Sequence, residues 1–150
     1  MTSLFAARLR RSLLLPVALL ALGLGAASAR AQNKVYTPIP IPNNNQVSDT
    51  LSERDIPTGE GGFARDYLVN LSAGDQIAID LTSESFDTIV TLMGKDGTKI
   101  AENDDGPDGS TNSLLFSRIN KAGQYIIRVR GFGETSGGKF DLRFTRLKPI

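Results

Sequence analysis

The sequence predicts an all-β protein, an antiparallel β-sandwich of about eight short strands. Three observations carry that expectation. Beyond residue 46, apolar residues alternate with polar ones in short runs. Gly-, Asp- and Asn-containing turns separate those runs. No segment after residue 31 keeps the period of a helix.

The chain begins with a different kind of segment. Arg8, Arg10 and Arg11 stand without any acid, an apolar run follows over 13–27, and Ala29-Arg30-Ala31 places small residues where a signal peptidase reads. Residues 1–31 are therefore expected to be a cleaved signal peptide, with Gln32 as the mature N-terminus. As a membrane anchor the run is short of the roughly 20 residues a span needs, and Pro16 breaks it. The mature chain is then expected to hold no transmembrane segment, and the protein to be exported, periplasmic or extracellular. Arg10-Arg11 also fits a twin-arginine signal, so the export route stays open.

Residues 32–46 read as a Pro/Asn-rich linker. Pro38, Pro40 and Pro42 alternate with Ile39 and Ile41 before Asn43-Asn44-Asn45, and prolines at that spacing fix φ and remove amide donors. Residues 47–150 form the domain. A short strand runs over 47–52. In the next, Tyr67, Val69 and Leu71 share a face; after the Ser72-Ala73-Gly74-Asp75 turn, Ile77, Ile79 and Leu81 share another. Residues 88–93 are apolar on both faces and so belong inside a sheet, and Lys95-Asp96-Gly97-Thr98 turns them into a strand at 99–102. Residues 114–119 follow the polar loop. Then Lys121-Ala122-Gly123 leads into Tyr125, Ile127 and Val129, whose alternates Arg128 and Arg130 are expected to meet water. The last strand turns Phe140, Leu142 and Phe144 inward.

Composition excludes several chemistries. The chain has no histidine and no cysteine, which removes the Ser-His-Asp class, thiol catalysis, disulfides and the usual zinc ligands. Loss of residues 1–31 removes four arginines and no acid, leaving 13 basic against 16 acidic side chains and a net charge of −3. With no basic cluster to follow a phosphate backbone, nucleic acid is not expected as a partner. A glycosidase would need two carboxylates held at roughly 5–10 Å; nothing in the spacing of the acids picks out such a pair. The Gly131-Phe132-Gly133-Glu134 stretch runs toward a strand rather than a helix N-terminus, so it is a hairpin tip and not a phosphate cradle.

The series Arg65-Asp66-Tyr67-Leu68-Val69, Ala73-Gly74-Asp75-Gln76-Ile77, Phe86-Asp87-Thr88, Asp96-Gly97, Asn103-Asp104-Asp105, Ala122-Gly123-Gln124-Tyr125-Ile126-Ile127 and Gly138-Lys139-Phe140-Asp141-Leu142 resembles the bacterial pre-peptidase C-terminal domain. The resemblance covers residues 47–145. It implies a jelly-roll-like sandwich, a non-catalytic module usually found at the end of secreted peptidases. Here the domain is expected in a stand-alone form, since it directly follows the signal peptide and linker.

The densest charge feature is the loop holding Glu102, Asp104, Asp105 and Asp108. If the strand after Phe86 pairs with the strand of Ile100, Asp87 joins it. Asp87, Asp104 and Asp105 are the candidate metal ligands, and calcium, which takes clustered oxygen ligands, is the ion they suit. The same residues also read as turn formers whose carboxylates cap backbone amides, and that is the reading favoured for this loop. An EF-hand beginning at Asp104 fails, with Gly106 at its third position and Leu115 at its twelfth. The resemblance to collagen-binding relatives puts Asp66 at a second calcium position. Asn43, Asn44, Asn45 and Phe63 stand where most of the remaining acids of that set would be. No cofactor is required. Among Tyr36, Phe63, Phe86, Tyr125 and Phe132, only Phe132, between two glycines, reads as a loop aromatic.

The function these features support is a non-enzymatic module that binds a protein or polysaccharide surface. Alternatives are an envelope-associated structural protein, an accessory domain for a separately encoded secreted peptidase, and a small hydrolase working with carboxylates alone.

Overall fold

The computed structural model describes residues 36–133 and 137–147. The signal peptide and the Gln32 terminus lie outside those residues. Ten strands replace the expected eight: β1 (Ile39–Pro40), β2 (Gln46–Leu51), β3 (Ile56–Pro57), β4 (Phe63–Leu71), β5 (Gln76–Thr82), β6 (Thr88–Gly94), β7 (Lys99–Asn103), β8 (Ser113–Arg118), β9 (Gly123–Gly131) and β10 (Gly138–Leu147). The two additions, β1 and β3, are two residues each and contain a proline. Pairings that short leave no period to read.

The strands form two sheets. One runs β1-β4-β9-β6-β7 with β3 also on β4; the other runs β2-β10-β5-β8. All pairings are antiparallel except β1 with β4, where Ile39 and Pro40 lie beside Tyr67 and Leu68. The front of the Pro-rich segment thus extends the larger sheet, and the Ile41 amide donates to the Leu68 carbonyl at 2.9 Å. Among the described residues there is no helix, and none therefore long and apolar enough to cross a membrane.

Alternation along the strands builds the core. Ile77, Ile79 and Leu81 of β5 are completely buried against Tyr67, Val69 and Leu71 of β4, Ile127 and Val129 of β9, and Phe140, Leu142 and Phe144 of β10. Burial of side chains this large supplies about 1.5–3 kcal/mol each. Tyr67 and Phe140 meet edge to face with centroids 6.4 Å apart, the orientation favoured by the ring quadrupoles. β6 is buried on both faces, as apolar residues on both of them required, and sits between β9 and β7.

Two turns decide how the sheets connect. The 72–75 turn carries the chain from the larger sheet to the smaller one. Gly74 takes φ +92° there, the Asp75 carboxylate accepts from the Ser72 amide at 2.9 Å, and Gly74 N–H donates to Ile119 O at 2.7 Å. Between β6 and β7, Gly97 at φ +85° closes the hairpin, a conformation that L side chains avoid. A buried Thr88–Ser113 hydroxyl pair at 2.7 Å ties β6 to β8 across the two sheets.

Candidate functional site

The outward face of the larger sheet holds a polar row that the strand registers align. Asp66 of β4 lies opposite Arg128 of β9, Arg128 opposite Thr91 of β6, and Thr91 opposite Glu102 of β7. Asp66 is 3% exposed. Its two oxygens accept Arg128 Nε and Nη2, both at 2.8 Å, the two-pronged geometry that makes arginine–carboxylate pairs strong. The Tyr36 hydroxyl donates to the same carboxylate. Burial, then the hydrogen bond to Asp66, pushes the Tyr36 phenol up to about 12. At the far end of the row, Thr91 Oγ1 donates to Glu102 at 2.6 Å, Lys99 reaches it at 3.1 Å and Arg130 at 3.5 Å. The Thr91 hydroxyl foremost holds the Glu102 carboxyl below its usual range.

This corrects the expectation for Arg128 and Arg130. Alternation does turn them away from the core, but toward acids on neighbouring strands rather than toward water alone. It also shows what occupies Asp66. Its carboxylate is taken by a guanidinium and a phenol, so the neutralising charge is a side chain of the chain itself.

Where β9 ends, the row opens into a shallow hollow of about 410 Å³ lined by Glu60, Ile89, Glu102, Asp104, Arg130, Phe132 and Gly133. Phe132 is 66% exposed, as its place between glycines suggested, and its amide is held by the Asp87 carbonyl at 2.9 Å. Phe86 and Tyr125 are buried in the core, while Tyr36 stays half exposed beside Asp66.

Of the three candidate metal ligands, Asp104 lines this hollow, and Asp87 and Asp105 are not among its lining residues. β6 pairs with β7, with Val90 opposite Asn103, so the loop after β7 comes back toward Asp87 as the sequence argument required. Burial first, and then the charges of Asp105 and Asp104, raise the Asp87 carboxyl above its usual range. Among the described residues, however, no group of three or more acids is close enough to hold a metal ion. The loop divides its polar groups among other tasks. Asp108 caps Ser110, from N–H at 3.1 Å and from Oγ at 2.7 Å, Asn103 Oδ1 accepts the Leu114 amide at 2.9 Å, and Glu102 belongs to the sheet face.

A second ionic cluster stands on the other face of β4, near the same end. Arg65 pairs with Asp49 and, at 2.7 Å, with Asp55, and the Tyr67 hydroxyl donates to Asp49 at 3.1 Å. Partial burial opposes ionisation of Asp49, but hydrogen bonds from Arg65, Thr50 N–H and Tyr67 hold its carboxyl below the usual range.

Residues 64–131, the span from β4 through β9, match the model of the bacterial pre-peptidase C-terminal domain. Over those residues the chain is similar to this family. The pre-peptidase C-terminal domain of collagenase from Bacillus anthracis superposes with a TM-score of 0.54 at 15% identity, covering 73% of this chain and 95% of that one. PliG from Aeromonas hydrophila, a periplasmic inhibitor of g-type lysozyme, superposes with a TM-score of 0.55 at 14% identity, covering 74% and 96%. At such identities the likeness is one of fold. Comparison with curated protein sequences finds no match.

Two features of this domain were missed in the sequence. The Asp66–Arg128 pair joins residues 62 positions apart, and no local pattern names a partner at that distance. Phe116, 62% exposed, could have been found: with Leu115 and Ile119 inward, alternation sends Phe116 out.

Proposed function

We propose that this chain is an exported, non-enzymatic β-sandwich module that binds a protein partner through the Phe132 end of its larger sheet. The observation that carries this reading is Phe132 itself, an aromatic left 66% exposed at the rim of a hollow bordered by Glu60, Glu102 and Asp104. An aromatic at the rim of a hollow is placed to serve as an anchor, and aromatic anchors covered by a partner dominate binding energy. The acids around it select a partner with a basic surface. A sandwich of this fold is a lysozyme inhibitor in Aeromonas hydrophila, which supports both a protein partner and a periplasmic location. The absence of histidine and cysteine, and the engagement of Asp49, Asp66 and Glu102 by arginines, support a non-catalytic role.

The test places a photo-cross-linking amino acid at position 132 of the exported protein. The expected result is a discrete protein adduct in the periplasm, lost when Asp104→Lys reverses the charge of the rim, on a chain whose N-terminus is Gln32. No adduct at 132, or an adduct indifferent to charge reversal, overturns the reading; an intact Met1 on the exported protein overturns the signal peptide.

A further inference from the structure

The outer face of the smaller sheet carries a grid of side chains that the core does not use. Register sets Gln46 beside Arg143, Arg143 beside Asp80 and Asp80 beside Leu114. One row along, Ser48, Asp141 and Thr82 align; in the other direction, Thr145, Ala78 and Phe116 do. The polar rows line a shallow hollow of about 340 Å³. Phe116 stands at the other end, 62% exposed on a strand rather than a loop.

Two properties of this grid point to a ligand. The first is that Arg143 and Asp80 face one another across the strands, yet neither side chain makes a hydrogen bond or ion pair among the described residues. Arg65, Arg128, Arg130 and Arg146 are paired with acids, whereas Arg118, on this same face, and Arg54 are not. The face therefore offers a free donor fork beside a free acceptor. The second is mixed charge, since Asp80 and Asp141 stand among Arg118, Lys139 and Arg143 at the outward positions of the four strands, for a net of +1. A face so close to balance gives little long-range attraction to a polyanion or to a strongly charged protein surface. It complements a neutral ligand rich in groups that both donate and accept.

We propose that this face binds a neutral glycan chain, with Phe116 stacked on the C–H face of one sugar ring and Arg143, Asp80 and Gln46 hydrogen-bonding the hydroxyls of another. Phe116 and Arg143 lie two strands and one row apart, about 12 Å at standard strand spacings, which a segment of roughly two to three pyranose rings spans. Shallow, polar contacts of this kind match an extended ligand laid across strands rather than a small molecule enclosed in a pocket.

The site lies on the opposite sheet from Phe132, so the two readings are tested separately. The experiment titrates the 15N-labelled mature chain with cellohexaose and, in parallel, with chitohexaose, following backbone amide resonances. The expected result is saturable shifts in β5, β8 and β10 with at least one of the two glycans. Phe116→Ala and Arg143→Ala should each weaken binding roughly tenfold, the scale of one stacking or charge-assisted contact. Phe132→Ala should leave it unchanged. Both substituted residues are exposed, and retained dispersion of the remaining spectrum verifies that each variant is folded. Shifts from neither glycan, shifts confined to the larger sheet, or full affinity in both variants overturns the proposal.

Discussion

Single residues in this sandwich matter chiefly through what they face across a strand. Asp66 is the sharpest case: a carboxylate 3% exposed whose hydrogen bonds come from Arg128 and Tyr36. Removing one partner of a buried pair leaves the other uncompensated, whereas the intact pair adds little over an apolar pair of the same volume. Arg128 keeps 31% of its side chain exposed, so water softens the penalty on its side. Arg128→Ala is therefore expected to cost about 2 kcal/mol and Asp66→Asn less, because the amide still accepts one bond. Urea unfolding of both single variants and the double variant measures this; a double variant that costs the full sum of the two would show that the residues do not interact. Sequence could place Arg128 outside the core by alternation. It could not say that an acid 62 positions away was waiting there, because alternation fixes a side chain's face and not its neighbour.

At the scale of elements, the strand is the unit the sequence wrote most clearly. The alternations of β5 and β10 set whole rows of apolar side chains on one face, and slipping either strand by one position would move every one of them to the other. Ile79 sits mid-strand in β5, completely buried, opposite Phe144 on one side and Leu115 on the other. Ile79→Asp puts a carboxylate without a partner at that point, and is expected to cost several kcal/mol, enough to unfold most of the population. A loss under roughly 1 kcal/mol, read from the urea midpoint, would refute the register. Elements that lack a period were not legible. β1 and β3 hold on by two residues each, and β1 is positioned by Ile41 N–H on Leu68 O and by the Tyr36–Asp66 contact. Those are tertiary interactions, and prolines at alternate positions read only as an extended segment. The acid loop shows the same divide: composition gives the number of carboxylates, while the β6–β7 register decides that Glu102 joins the sheet row and Asp108 caps a turn.

For the molecule as a whole, the open question of calcium becomes one of linkage between binding and folding. An ion held by Asp87, Asp104 and Asp105 only in the folded state would raise the unfolding midpoint in proportion to the logarithm of its concentration over its Kd. The structure brings the three charges within reach of one another, since Asp104 and Asp105 raise Asp87, but it gathers no group of three acids at ligating distance among the described residues. Calcium needs six to eight oxygens at about 2.3–2.6 Å, so reach without convergence leaves repulsion and no cage. The expected outcome is that midpoints in chelator and in millimolar calcium coincide. Burial of Asp87, and after it the repulsion from Asp105 and Asp104, also predicts the pH response of this corner. A carboxyl raised in the folded state binds more protons there than in the unfolded chain, so its contribution to stability is present at low pH and lost as pH rises through the raised value. Asp104→Asn removes one source of the repulsion and is expected to raise the midpoint slightly at neutral pH, with a smaller gain in acid, where Asp87 is already protonated. A calcium-dependent rise in the native midpoint that Asp104→Asn abolishes would instead establish a metal site in the loop, with the lost ligand outweighing the relieved charge.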